Sequence, residues 1–339
     1  MSYQFAIIGC GHIGRRHAAH ISKQALLVAV CDIIPERANE LAALYQCKPF
    51  YSIEALLANT KIDVLSVCTP NYLHETHTVA GLAAGIHILC EKPMALSSES
   101  CSRMIAAADK AGKRVFVVKQ NRYNPPVQVV KELINNNRLG KILQVTVNCF
   151  WNRDAHYYLG SDWKGIKSKD GGMLFTQFSH FVDVLFYLAG PMNVVSGISS
   201  NFLHQGITDF EDSAAFLLTT QNDGIVSFNA STCAHGKNME GSLDIIAEKG
   251  SIRIGGQYMN TIDYSNVLGI DLPEINVQQQ SNQYGHYEGS MSNHHLVIRN
   301  VIDTLDGRSA PMANALEGLQ VVQLIEAMYA AILTTSASL

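Results

Sequence analysis

Gly9-Cys10-Gly11-His12-Ile13-Gly14 stands between an apolar run, residues 5–8, and a helical stretch, residues 13–21. Strand, glycine turn and helix in that order spell G-x-G-x-x-G, and each glycine answers a separate geometric need. Gly9 makes the tight turn, Gly11 lets a pyrophosphate come up to the backbone, and Gly14 lets the helix pack closely on the strand. The open N–H groups at the start of the helix then face an anion. Asp32 follows the next apolar run, residues 26–31, where a carboxylate accepts hydrogen bonds from the two hydroxyls of a ribose. A 2′-phosphate at that place meets like charge. The pattern therefore predicts NAD as cofactor rather than NADP, with Arg37 as a nearby cation on the other side of the balance.

Outward from this turn the same alternation continues. Apolar runs recur at residues 26–31, 64–68, 86–90 and 115–118, with helical segments at 35–45, 74–84 and 98–111. Near-continuous apolar strands separated by helices imply a parallel sheet covered on both faces, the doubly wound α/β architecture. The pattern changes at Asn124-Pro125-Pro126. The reading is a Rossmann domain over 1–122 and an α+β substrate and oligomerisation domain over 123–339, whose last helices pack back on the first domain. In the second part a helix at 127–136 leads to a strand at 142–150 and a polar, aromatic loop at 151–169. One helix then runs from about 172 to 188, followed by strands at 194–201, 213–220, 224–233, 242–248 and 251–254. Strands in succession with short turns predict a largely antiparallel, open-faced sheet. Its free face is the expected interface of a homo-oligomer, a dimer or tetramer. Helices at 294–304 and 316–333 close the chain.

Composition narrows the function classes. The chain has 339 residues, 47% hydrophobic and 16% charged, as ordinary globular proteins do, and its formal net charge is −4. That balance excludes the basic footprint of a nucleic-acid partner. No stretch reads as apolar for the length a membrane span needs, about 20 residues, and Met1-Ser2-Tyr3-Gln4 lacks a basic leader, so a cytoplasmic protein with no membrane partner is expected. None of the eight cysteines forms a C-x-x-C pair, and the expectation is buried, reduced thiols and no metal.

Two motifs carry chemistry. Glu91-Lys92-Pro93 follows the apolar run 86–90, and ligands of such sheets lie at the carboxyl ends of strands, so Lys92 is expected to face the cofactor. In the second part, Thr176, His180 and Asp183 fall at i, i+4 and i+7 of the predicted helix and share a face. On this pattern alone a buried histidine is as readily a satisfied core residue as a proton carrier.

The glycine turn, Thr69-Pro70-Asn71-Tyr72-Leu73-His74, the Glu91-Lys92-Pro93 triplet and the Gly171-to-Asp183 segment, in that order, resemble the Gfo/Idh/MocA oxidoreductases over nearly the whole chain. The resemblance implies Lys92 and His180 as the catalytic pair, and a cis peptide at Lys92–Pro93. It further implies a cofactor site of Gly9, Gly11, His12, Ile13, Gly14, Asp32, Thr69, Pro70, Asn71, His74, Glu91, Lys92 and Gln120. Many members carry aspartate where this chain has Thr176, which argues against an Asp–His pair and leaves the threonine to bond substrate or to orient His180. Gln120-Asn121-Arg122-Tyr123-Asn124-Pro125 and Phe175-Thr176-Gln177-Phe178-Ser179-His180 are similar to the UDP-N-acetylglucosaminuronate 3-dehydrogenases of bacterial surface-polysaccharide synthesis. That branch implies a UDP-linked sugar held by Arg122, Tyr123, Trp163, Lys164, Thr176 and Gln177. It implies hydride transfer from the sugar C3 to the nicotinamide, with His180 as base and Lys92 on the same oxygen, or with the two roles exchanged. The cations and aromatic rings of the 151–169 loop suit such an anionic sugar. Three alternatives stay open: an inositol or other sugar dehydrogenase, an NAD-dependent glycoside hydrolase, and a regulatory protein that reads NAD as a signal.

Overall fold

Six parallel strands in the order β3-β2-β1-β4-β5-β6 form the sheet of the first unit, the doubly wound order with its switch point between β1 and β4. Its elements run β1 (Gln4–Ile8), α1 (His12–Ile21), β2 (Leu26–Cys31), α2 (Pro35–Tyr45), β3 (Lys48–Phe50), α3 (Ile53–Asn59), β4 (Val64–Val67), α4 (His74–Ala83), β5 (His87–Cys90), α5 (Ser98–Ala111) and β6 (Val115–Val117). Phe5, Ala6 and Ile7 of β1 and Val64, Leu65 and Val67 of β4 are fully buried, because helices cover both faces of the central strands. On α1 the buried residues are Gly14, His17, Ala18 and Ile21, the i, i+3, i+4, i+7 stripe of a helix packed along one side. Pro35 starts α2 where no backbone donor is needed, and Gly112 at φ 61° ends α5.

β3 and α3 escape the sequence pattern for physical reasons. Lys48-Pro49-Phe50 is short and carries a proline, which only a sheet edge tolerates, and β3 is the edge. α3 buries Leu56 alone, so it shows no stripe, although Ser52 caps its start by accepting from Ala55 N–H at 3.2 Å.

The structure, a computed structural model, describes residues 2–272, 275, 281–283 and 288–336. The chain divides into two units, Met1–Lys119 with His294–Val322, and Gln120–Asn293 with Gln323–Leu339. The second unit begins with α6 (Pro125–Asn135), β7 (Ile142–Phe150), α7 (Ala155–Leu159), α8 (Lys167–Asp170), α9 (Met173–Thr176) and α10 (Ser179–Ala189). β8 (Met192–Ser200), β9 (Ser213–Thr220), β10 (Ile225–Ser231), β11 (Glu240–Ala247), β12 (Gly250–Gly255), β13 (Thr261–Val267), β14 (Ser281–Gln283) and β15 (Glu288–Met291) follow. α11 (His294–Leu305) belongs to the first unit, and α12 (Ala315–Ser336) supplies residues to both. Seven strands form the second sheet in the order β13-β12-β11-β7-β10-β9-β8, antiparallel except for the parallel pair β7 and β10. Its burial alternates. Val145, Val147 and Cys149 of β7, Phe216 and Leu218 of β9, and Val226 and Phe228 of β10 face the core, while Leu143, Leu217, Ile225 and Ile246 are exposed. β13 escaped the pattern because its residues up to Asn266 are exposed or half-exposed and show no apolar alternation.

Two expectations are corrected. The loop at 151–169 contains α7, and it runs into α8. The single helix from 172 to 188 is two helices. Both Gln177 N–H and Phe178 N–H donate to Met173 O at 3.0 Å, and the second of these is an i→i−5 closure. A π-type turn of this kind inserts one residue into the helical register and ends α9 before α10 begins. A third correction concerns length and apolarity: Ala315–Ile332 of α12 is long and apolar enough to cross a membrane by composition alone. Within the fold it carries Glu317 and Glu326 and buries Val321, Val322, Leu324, Ile325 and Met328.

All eight cysteines are free, and Cys10, Cys31, Cys68, Cys90, Cys101 and Cys149 are buried. Burial pushes the Cys10 and Cys31 thiols up to about 12, so neither is a thiolate near neutral pH.

Candidate active site

β1 delivers the chain to Gly9, whose φ of 95° suits glycine; a Cβ there would lie 2.5 Å from Cys68 O. Gly14 is packed against the same turn, since a Cβ on it would come within 1.9 Å of Gly9 O. A Cβ on Gly11 would meet nothing within 4 Å, so this face of the turn is open to a ligand. α1 starts at that point with no side-chain cap, and its first N–H groups have no partner within the helix. His12 is exposed at this helix start and Ile13 is half-buried. Asp32 is buried, and its carboxylate clamps the turn: Oδ2 accepts from Cys10 N–H at 2.7 Å and Oδ1 from Ile34 N–H at 2.9 Å. Each oxygen keeps a further acceptor site for a ribose hydroxyl. Open backbone at Gly11, an uncapped helix start and a carboxylate after β2 fit a dinucleotide without a 2′-phosphate.

Asp32→Ala is therefore expected to weaken NAD binding by roughly 10- to 100-fold, the worth of a hydrogen bond to a charged group, and to shrink the preference for NAD over NADP. Steady-state constants with both cofactors check this. An unchanged preference removes Asp32 as the ribose reader.

The loops after β4 and β5 are tied together from beneath. His74, 1% exposed, faces two carbonyls: Nδ1 is 2.7 Å from Pro93 O and Nε2 is 2.9 Å from Thr69 O. Its ring is spent on the scaffold. Thr69 Oγ1 lies 3.0 Å from His77 Nδ1, and burial and the neighbouring His74 push His77 down to about 4, so its ring is neutral. Pro70 is half-buried and Asn71 buried in the same turn. Lys92 is half-buried, and the Lys92–Pro93 peptide is cis.

Glu91, expected at the cofactor, is part of the same scaffold. It is 5% exposed, and its Oε1 lies 2.8 Å from His17 Nε2 and 3.6 Å from His294 Nε2, while its Oε2 accepts from Lys92 N–H at 3.1 Å. Burial alone would push the Glu91 carboxyl up, but His17 and His294 hold it well below the usual carboxylate range. Burial pushes His17 down, yet Cys68 and Glu91 beside it raise the ring to about 10.

In the second unit α10 carries His180, buried at 6% exposure. Its Nε2 lies 3.4 Å from the Gln120 amide nitrogen, which also donates to Ser290 Oγ at 2.8 Å. Asn293 Nδ2 donates to Gln120 O at 3.3 Å and to Asn124 Oδ1 at 2.8 Å. Gln120 is thus packed against the histidine, within the second unit. Ser290 and Asn293 had no legible signal: Ser290 lies in short β15 and Asn293 just after it, where no apolar period points to them.

Three residues expected to hold the substrate have neighbours within the second unit. Arg122 is fully buried; Nε and one terminal nitrogen grip the Asp183 carboxylate at 3.0 and 2.9 Å, and the guanidinium lies 4.7 Å from the Tyr187 ring centre. It anchors α10. The Thr176 hydroxyl donates to the carboxylate and the carbonyl of buried Asp170, because the turn at Phe178 takes it off the His180 face. Lys164 Nζ sits 4.0 Å from the Tyr157 ring centre and 6.0 Å from that of half-buried Trp163. Elsewhere in the 151–169 segment, Arg153 is buried between Trp151 and Tyr157, and Lys169 donates to Asp162 O at 2.9 Å.

Several buried polar atoms of the second unit have unspent hydrogen-bonding capacity. Among the described residues they include Gln120 Oε1, both amide atoms of Asn121 and Gln177, the Tyr123 hydroxyl and the Ser179 hydroxyl. They lie on the Gln120–Tyr123 turn, whose Gln120 touches His180, and at the junction leading into α10, which carries His180. Each buried polar group of this kind costs about 1–3 kcal/mol unless a partner satisfies it.

Comparison with known proteins agrees with this geometry. Residues 3–119 match the family description "Oxidoreductase family, NAD-binding Rossmann fold", and residues 131–336 match "Oxidoreductase family, C-terminal alpha/beta domain". The WlbA dehydrogenase of Bordetella pertussis, solved with NADH and UDP-GlcNAcA, is 34% identical with a TM-score of 0.88, covering 99% of this chain and 98% of that one. The WlbA dehydrogenase of Chromobacterium violaceum, solved with the same two ligands, is 33% identical with a TM-score of 0.89, covering 98% and 94%. Glucose-6-phosphate 3-dehydrogenase of Bacillus subtilis is 27% identical over 295 residues, 83% of each chain.

Proposed function

The chain belongs to the Gfo/Idh/MocA oxidoreductase family and is an NAD-dependent sugar oxidoreductase, and from that premise we propose that it oxidises the C3 hydroxyl of UDP-N-acetylglucosaminuronate. The observation that carries the reading is the set of unsatisfied buried polar groups on the Gln120–Tyr123 turn and the segment leading into α10, the two segments that meet at His180. A polyhydroxylated ligand offers donors and acceptors in number, whereas an apolar one leaves every one of those groups in deficit. The nucleotide-sugar class rests on the likeness to the two WlbA dehydrogenases over nearly the full chain.

When bound, NAD supplies the hydride acceptor at C4 of its nicotinamide. His180 accepts the proton of the sugar hydroxyl; the Gln120 amide beside Nε2 orients the ring. Lys92 stabilises the charge that develops on the oxygen. Tyr123, Gln177 and the Ser179 hydroxyl bond the sugar, and Lys164, backed by Tyr157 and Trp163, meets the diphosphate. The exposed apolar face of the second sheet, with Leu143, Leu217, Ile225 and Ile246, is the homo-oligomer interface of this reading. The product, a nucleotide-linked keto-uronic acid, belongs to the assembly of bacterial surface polysaccharide.

NADH absorbance on mixing the protein with NAD and UDP-N-acetylglucosaminuronate tests the proposal. Turnover of unphosphorylated sugars alone overturns the nucleotide-sugar class. Lys164→Ala is expected to raise KM for the UDP-sugar roughly tenfold, the loss of a charge-assisted contact, with little change for the free sugar acid. Equal effects on both substrates show that Lys164 does not read the diphosphate.

A further inference from the structure

Four groups on three segments of the first unit make one chain of polar contacts. Ser66 Oγ on β4 lies 2.7 Å from His17 Nδ1 on α1, and His17 Nε2 lies 2.8 Å from Glu91 Oε1 after β5. Glu91 Oε2 then accepts from Lys92 N–H at 3.1 Å. Ser66 and His17 are fully buried and Glu91 is 5% exposed, while Lys92 at the end is half-buried. The order runs from solvent-free core to the residue that the proposed chemistry uses.

An apolar pair would serve packing as well as His17 and Glu91, at no cost of desolvation. Replacing buried ion pairs by hydrophobic residues is often neutral or stabilising. What the polar pair adds is direction. A carboxylate has two acceptor oxygens held rigidly apart; with one fixed by His17, the other fixes the Lys92 amide. The ring of His17 is fixed in turn by Ser66, as second-layer partners fix the ligands of metal sites. His294, edge to face with His17 at 5.5 Å, closes the remaining side of Glu91.

We propose that His17, acting through Glu91, is a positioning residue for Lys92: it holds the backbone from which the Lys92 side chain reaches the reacting oxygen. The proposal rests on the reading of Lys92 as a catalytic group, and the tests separate the two. Misplacement of a reacting group by about 1 Å costs on the order of 100-fold, which sets the scale.

Hydrogen exchange read by mass spectrometry needs no turnover. In His17→Ala, and separately in Glu91→Gln, the peptide covering residues 88–97 is expected to exchange roughly tenfold faster, with peptides of β1, α2 and β6 unchanged. Unchanged exchange at 88–97 in both folded variants overturns the proposal, and so does acceleration spread evenly over the unit. His17→Gln, which keeps a donor near Glu91, is expected to restore most of the protection.

Kinetics read the use of this support. With NAD and UDP-N-acetylglucosaminuronate, His17→Ala is expected to lower kcat about 10- to 100-fold with KM for NAD held within twofold. In a Lys92→Ala background the same substitution is expected to add nothing, because there is no longer a group to position. An equal loss in both backgrounds marks a merely structural histidine and overturns the proposal. Lys92→Ala with wild-type hydride transfer removes instead the reading beneath it, whatever His17 does.

Discussion

His180→Ala and Lys92→Ala are each expected to lower kcat by about 10²–10⁴, the range that general acid–base help supplies, while NAD binding stays near normal. The motivation differs for the two. His180 is buried beside Gln120 and among polar groups with unspent bonding capacity. Lys92 is half-buried behind the Glu91 clamp, with no place in the turn that receives the pyrophosphate. If the two serve one proton transfer, the double variant loses much less than the product of the single losses. A purely structural His180 behaves in another way: its loss lowers thermal stability, and the folded fraction keeps its turnover. Single-turnover hydride transfer and thermal unfolding on one preparation distinguish the cases. Near wild-type transfer in folded His180→Ala removes that residue from the mechanism.

The second large effect is one of stability. Asp183→Ala is expected to destabilise the second unit by about 3–5 kcal/mol, because it leaves the Arg122 guanidinium charged, fully buried and without its carboxylate. Whole domains are stable by about 5–15 kcal/mol, so this single change brings the unit close to unfolding at ordinary temperature. Urea titration followed by far-ultraviolet circular dichroism measures the shift of the midpoint. The double variant Arg122→Met with Asp183→Leu is expected to recover part of the loss, since it removes both charges at similar volume. A midpoint within 0.5 kcal/mol of wild type in Asp183→Ala would show that the pair contributes nothing net, which is the behaviour of surface pairs.

The Rossmann half was legible because its signals are local. Gly9, Gly11 and Gly14 each answer a need of the nearby backbone, and the apolar runs of β1, β2, β4, β5 and β6 are long enough to be seen. β3, with a proline in three residues at the sheet edge, buries too little to leave a pattern. The site in the second unit was legible in part. His180 and Gln120 came from motif, but the partners of Arg122 and Thr176 could not be read. Arg122 and Asp183 are 61 residues apart in the chain, and only the folded unit shows that the guanidinium is consumed internally. The shared face of Thr176 and His180 was read on a uniform helix, and one i→i−5 hydrogen bond between them shifts the register.

That extra residue also governs how the family's variety can be exchanged at this place. One inserted position turns everything downstream by about 100° around the helix axis. A carboxylate grafted onto position 176 would not inherit a histidine neighbour. It would arrive on the buried Asp170 carboxylate that now accepts the Thr176 hydroxyl, two negative charges where one is already enclosed. A carboxylate at position 176 therefore calls for a change at position 170 as well, or for a rebuilt turn at Phe178.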